Sequence, residues 1–232
     1  MDFTNKRVMV AGGTGALGSA VVERLIGLGA HCHVTSFSKT PEPWFKFADH
    51  PSVTVHLDLN LGDEGTVEAL YAGLPELWAS VHVAGGFAMG AFVSTSAADL
   101  DKMLSMNLRT AFLCTREAAK RMTGGGRIVN VAARPAIDPT AGGGMVAYTV
   151  SKAAVAALTL STARELSPQG IWVNAVAPSI MDTPQTRQAM PGADHATWPK
   201  TAEVAEAIAW LASPGNAVTS GTIVPVYGRS WP

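Results

Sequence analysis

Charge is what this sequence has least of. Asp, Glu, Lys and Arg make up 15% of the 232 residues, against about 25% in an ordinary soluble domain. The signs nearly cancel, 17 Lys+Arg against 18 Asp+Glu. With hydrophobic residues at 47%, so little charge excludes a disordered chain, which needs high charge and low hydrophobicity. Without a basic run, it also excludes a nucleic-acid binder held by phosphate contacts. So sparse a surface charge suggests that an oligomer covers part of the surface. Cysteine is scarce too: Cys32 and Cys114 cannot form a disulfide framework, and each stands in an apolar context suited to a small buried residue. No stretch approaches the ~18 uninterrupted apolar residues of a membrane helix. The first residues, Met-Asp-Phe-Thr-Asn-Lys-Arg, lack the apolar core of a signal peptide. These absences point to a cytoplasmic protein with no membrane or nucleic-acid partner, acting on a small molecule.

What is present is alternation. Short apolar runs at 6–11, 31–36, 53–57, 78–83, 127–131, 171–176 and 222–226 read as strands. Helical patterns lie near 16–28, 64–72, 99–122, 148–166 and 202–212. Strands interleaved with helices predict an α/β fold, a Rossmann-like doubly wound parallel sheet of about seven strands. At roughly 150 residues per domain, a single domain over 1–232 fits, because nothing in the middle resembles a linker. Two stretches, 134–147 and about 178–200, read as irregular. In such a sheet, the loops at the carboxyl ends of the strands carry the ligands.

The first strand runs into Gly12-Gly13-Thr14-Gly15-Ala16-Leu17-Gly18 and then a helix. Glycines let the backbone turn sharply and approach a pyrophosphate, which the helix N-terminus favours. The position after the first strand makes this a dinucleotide-binding signal. At the end of the second strand an acidic residue selects NAD, and a basic one accommodates the 2′-phosphate of NADP. Here Ser36-Phe37-Ser38-Lys39 has no carboxylate. Ser36 and Ser38 can donate to a phosphate and Lys39 adds charge, so NADP(H) is favoured over NAD(H). Asp58, followed by Leu59, is placed to meet the adenine edge. His31-Cys32-His33 invites a metal reading, but alternation along a strand puts Cys32 on the other face, so no metal is expected.

Tyr148 and Lys152 are four apart at the start of a helix, on one face. An ammonium beside a phenol stabilises the phenolate, so the tyrosine is expected to titrate below its ordinary value near 10. A phenol so tuned can protonate a substrate as hydride arrives from a nicotinamide.

On the glycine loop, Tyr148 and Lys152, nearly the whole chain resembles the short-chain dehydrogenase/reductase family. The resemblance implies further roles. His82-Val83-Ala84-Gly85-Gly86 stands at the family's Asn-Asn-Ala-Gly segment beside the cofactor. Asn107 matches the catalytic asparagine that holds a water linking the lysine to solvent. Pro178-Ser179-Ile180-Met181-Asp182-Thr183 matches the segment contacting the nicotinamide carboxamide, with Ser179 in place of the usual glycine. Arg134 faces the site entrance in the family pattern. Members pair the helices that correspond to 99–122 and 148–166 across a two-fold axis, so a homodimer or homotetramer is expected.

One departure matters. The family places a serine after the fifth strand to hydrogen-bond the substrate carbonyl; Ala133 stands there instead. Thr140 in the following loop is a candidate substitute. The dihydropteridine reductase branch also keeps the tyrosine and lysine without the serine. This chain is similar to it in Val83-Ala-Gly-Gly-Phe87, in the Gly144-Met145 preceding Tyr148, and in the lid skeleton Asp182-Thr-Pro, Arg187, Met190-Pro, Ala193-Asp194 and Trp198. It differs in having Ser36 where that NADH-preferring branch has an acidic residue. Phe87, Met89, Met145, Met190 and Trp198 would wall a slot for a planar ring, beneath a lid at about 178–200. Three readings follow: a reductase of a planar conjugated substrate such as quinonoid dihydropteridine, a general carbonyl reductase or alcohol dehydrogenase, and a catalytically silent cofactor-binding regulator.

Overall fold

Seven strands form one parallel sheet in the computed structural model, which describes residues 1–230. The strands are β1 Arg7–Ala11, β2 His31–Thr35, β3 Val53–His56, β4 Ala79–His82, β5 Gly126–Val131, β6 Ile171–Pro178 and β7 Ile223–Val226. Their order is β3-β2-β1-β4-β5-β6-β7. The order reverses between β1 and β4, which pair in the register Val8↔Ala79 to Ala11↔His82. A crevice at the carboxyl ends of the strands opens at such a reversal.

Helices cover both faces. α1 Ala16–Gly27 and α8 Thr201–Ala212 lie on one, where Val21, Leu25, Val204 and Ile208 pack on Val8, Val10, Cys32 and Val34. α2 Glu64–Ala72, α4 Thr110–Lys120 and α6 Val146–Leu166 cover the other, where Val67, Tyr71, Leu113, Cys114 and Ala163 meet Met9, Ala11, Ile128 and Ile171. Alternate residues of one strand therefore feed two cores, Val8 and Val10 one, Met9 and Ala11 the other. By length and composition α6 could cross a bilayer. Here it packs on β6 and buries Ser151, Lys152, Val155 and Thr159.

Three segments differ from the sequence expectation. The helix expected over 99–122 is three pieces: α3 Ala97–Met103, a π-helical stretch Leu104–Arg109, and α4. It begins earlier because Ser96 and Asp99 close a capping box. The stretch 134–147 holds α5 Arg134–Ile137 and a 3₁₀ turn Pro139–Gly142. The lid holds α7 Pro184–Ala189, capped by Thr183. Both short helices carry proline in the first turn, where its missing N–H costs nothing.

Candidate active site

The loop leaving β1 is built on close approach. Gly12 has φ +77°, and a Cβ there would lie 2.7 Å from the backbone of Ala84 in the loop leaving β4. Thr35 on β2 accepts the Gly12 N–H at 2.8 Å. A Cβ on Gly18 would collide with the Gly12 carbonyl oxygen, and one on Gly13 would lie 2.7 Å from Val34. Backbone packed this tightly at the start of α1 fits a pyrophosphate cradle, because it lets an anion approach the N–H groups of the helix's first turn. Ser36 is buried, and its Oγ accepts the Ser38 N–H at 3.1 Å. Of the three residues expected to meet a 2′-phosphate, Ser36 accepts within the turn and keeps its own proton, while Ser38 and Lys39 are exposed. Asp58, exposed and at φ +58°, and Leu59 tie the ends of β3 and β2, donating their N–H groups to the Ser38 and Ser36 carbonyls.

Across the crevice, α6 presents Tyr148 and Lys152. Lys152 is buried and donates from Nζ to the Val131 carbonyl at 2.7 Å, at the end of β5. Burial pushes it down to about 8, because a low-dielectric site disfavours the charged form. The expectation of a lowered Tyr148 pKa is corrected: burial pushes this phenol up to about 12. The Lys152 ammonium is held on the Val131 carbonyl, and the Phe87 ring meets Tyr148 edge-on, centroids 4.9 Å apart, helping to exclude the water that would solvate a phenolate.

Asn107 lies in the π-helical stretch, a distortion that recurs at functional sites. It is buried and clamps Gly86 from both sides, accepting its N–H and donating to its carbonyl, each at 3.0 Å. It also donates to Ser151 Oγ at 3.0 Å. A Cβ on Gly85 would sit 2.5 Å from Asn107 Oδ1 and 3.4 Å from Lys152 Nζ. Thus Asn107, Gly85, Gly86 and Lys152 form one cluster, in which the Asn107 side chain both donates and accepts.

The remaining candidates separate. Ala133 is buried at the start of α5. Thr140 donates its proton to Asp138 at 2.5 Å. Phe87 and Met89 are exposed, and the loops that carry them and Met145 are joined by Gly90 N–H to the Gly144 carbonyl at 2.8 Å. In the lid, Trp198 is buried against His195, and His195 bonds the Met190 carbonyl at 2.8 Å. These lid residues pack on one another, and Trp198 offers little open wall. Pro178 and Thr183 are buried, Thr183 engaged in capping α7, while Met181 packs on the core. Arg134 donates to the Ser230 carbonyl at 3.0 Å and lies over the Tyr227 ring.

Sequence reasoning missed a buried polar chain beneath the site. Tyr71 Oη and Ser80 Oγ are 3.0 Å apart, Ser80 Oγ and His82 Nε2 2.8 Å, His82 Nδ1 and Asn130 Oδ1 2.8 Å, and Asn130 Nδ2 donates to Thr159 Oγ1 at 3.0 Å. Thr159 lies two turns beyond Lys152 on α6. His82 in place of the family's asparagine was the one available signal. The histidine cluster was also incomplete: His56 on β3 comes within 3.3 Å of His33.

Known proteins resemble the chain over nearly its whole length. A family model described as enoyl-(acyl carrier protein) reductase matches residues 12–228. The chain is 28% identical to the cyclic-di-GMP-binding biofilm dispersal mediator protein of Escherichia coli (strain K12), covering 97% of each. It is 27% identical to 3-oxoacyl-[acyl-carrier-protein] reductase FabG of Rickettsia felis, covering 98% of each. The solved structure of BdcA in complex with NADPH superposes with a TM-score of 0.87 at 27% identity, over 98% of this chain and 95% of that one.

Proposed function

The chain belongs to the short-chain dehydrogenase/reductase family, as an NAD(P)-dependent oxidoreductase, and from that premise we propose that it uses NADP(H) to reduce a planar, conjugated substrate of the quinonoid dihydropteridine type. The catalytically silent reading is set aside by that membership.

The observation that carries the substrate reading is that position 133, where the family's serine stands, has no hydroxyl. Ala133 has no donor, and Thr140 gives its proton to Asp138. Removing one donor from a developing oxyanion costs on the order of 10²-fold in rate. A conjugated ring spreads the incoming charge over several heteroatoms and depends less on a single donor. The edge-on contact of exposed Phe87 with Tyr148 supports a flat, apolar entrance.

When bound, the nicotinamide supplies the hydride. Gly12, Gly13, Thr14, Gly15, Ala16, Leu17 and Gly18 would hold the pyrophosphate, with Ala84, Gly85, Gly86, Pro178, Met181 and Thr183 lining the rest. Ser38 and Lys39 support the preference for NADP(H). Tyr148 holds the proton for the substrate on its Oη. Lys152 keeps its positive charge near the end of β5, and Asn107 holds the Gly85–Gly86 backbone against that lysine.

A second reading, a ketone reductase, is favoured by the reductase names of the relatives. Oxidation of NADPH and NADH is to be followed with quinonoid dihydropterin and with a panel of ketones and quinones. Turnover of dihydropterin with NADPH preferred supports the proposal; efficient turnover of ketones alone replaces it with the second reading. We also propose a homodimer through α4 and α6, whose Phe112 and Leu160 are 47% and 48% exposed.

A further inference from the structure

The connection from β2 to β3, residues 36–52, contains no helix. It is a strap anchored by aromatic residues. Phe45 is buried in the core that α1 packs on, and Phe47 meets it edge-on with centroids 5.7 Å apart. From this anchor Trp44 reaches over the glycine loop, and its indole Nε1 donates to the Thr14 carbonyl at 3.1 Å. The same carbonyl accepts Ser19 Oγ at 3.2 Å. Trp44 also lines a cavity of about 350 Å³, shared with Ala16, Ser19 and, from the lid, Asp182 and Thr183.

A carbonyl in the glycine loop is a hazard for an anion, because its oxygen repels phosphate where the loop's N–H groups attract it. A carbonyl engaged by two donors is held toward those donors and cannot also be aimed at a ligand. Pre-setting that peptide in the free protein removes a cost that binding would otherwise carry. We propose that Trp44 is a cofactor-positioning residue: through its indole N–H the β2–β3 strap locks the Thr14 peptide, with Ser19 as the second lock, and so sets the affinity for the dinucleotide. This rests on the reading of the glycine loop as a dinucleotide site. It gives the strap a function that its irregular sequence does not advertise.

Titration calorimetry with NADPH on the wild type, Trp44→Phe and Ser19→Ala tests it. Phenylalanine keeps an aromatic ring and loses the N–H. The expected result is a Kd for NADPH raised about three- to tenfold in Trp44→Phe, the effect of one lost hydrogen bond, with a smaller rise in Ser19→Ala. In turnover the KM for NADPH rises to match, while kcat at saturating NADPH and the KM for the second substrate stay within about twofold. A merely structural role would lower kcat and melting temperature together and leave no such split. Equal Kd values in wild type and Trp44→Phe overturn the proposal. A wild type that binds neither NADPH nor NADH overturns the cofactor reading instead. If Trp44→Phe does not fold, Ser19→Ala decides: a raised Kd supports the lock, and an unchanged Kd overturns it.

Discussion

Lys152 and Tyr148 are a pair in sequence whose charges the structure tunes separately. Burial lowers the lysine from its ordinary 10.5 to about 8, so its ammonium is lost as pH rises through that value. The kcat/KM profile, which reports groups of the free enzyme, is therefore expected to fall above about pH 8. A Lys152→Met variant loses that limb along with most activity, and Tyr148→Phe lowers kcat by about 10²-fold or more. A flat profile up to pH 10 would remove the lysine from the chemistry. His82 gives a second residue-scale test. Thr159 donates its proton to the Val155 carbonyl at 2.9 Å, so it accepts from Asn130, whose Oδ1 then accepts from His82 Nδ1. The chain of hydrogen bonds thus fixes a proton on His82 Nδ1, and burial, which disfavours the charged ring, pushes its pKa down to about 4. The unfolded chain takes up the proton that charges the ring near 6.5 and the folded one only near 4. Stability is thus lost as pH falls across this window, by up to about 3 kcal/mol. Denaturation at pH 7 and pH 4.5 should show the loss. His82→Gln, which can accept from Ser80 and donate to Asn130 without titrating, should show a smaller one.

The site depends on where elements stop. β1, β4 and β5 end at Ala11, His82 and Val131; the glycine loop, the Gly85–Gly86 turn and the carbonyl that holds Lys152 follow from those ends. Gly12→Ala is expected to abolish dinucleotide binding and lower stability by at least about 1 kcal/mol, since a side chain at φ +77° is strained and would press on the Ala84 backbone. Thermal melts with and without NADPH would read both effects; wild-type binding in this variant would contradict the close packing of the two loops. Strands and long helices were legible because apolar runs and 3.6-residue periodicity dictate them. The π-helical stretch at Asn107 was not, because one extra residue in a turn leaves no mark on composition. The strap was opaque as well, since its order comes from Phe45 burial and one indole bond. The first turn of α7 was written in Thr183-Pro184, a cap followed by proline, inside a stretch otherwise poor in pattern.

At the scale of the molecule, the low charge that opens the sequence reflects a sheet covered on both faces and the outer side of α6, where Val150 and Leu160 are exposed. Phe112→Glu or Leu160→Glu is expected to convert a dimer into monomers in sedimentation at micromolar concentration, because each puts a charge into an apolar contact. A wild type that sediments as a monomer would leave those exposed side chains without the proposed partner. The lid shows what spacing alone leaves open. Met190 and Trp198 read as parts of a substrate wall; in the structure Trp198 packs on His195, which bonds the Met190 carbonyl, and beside them Arg187 pairs with Asp182 at 2.5 Å. Spacing identifies residues that belong together, but not whether they face a ligand or one another. The central claim is that hydride transfer here proceeds without a hydroxyl at position 133. The direct measurement is kcat/KM for quinonoid dihydropterin and for a ketone, in the wild type and in Ala133→Ser. The prediction is a rise of about tenfold or more for the ketone, with the dihydropterin value within about twofold. A serine that leaves ketone reduction unchanged, in a protein that already reduces ketones well, would contradict it.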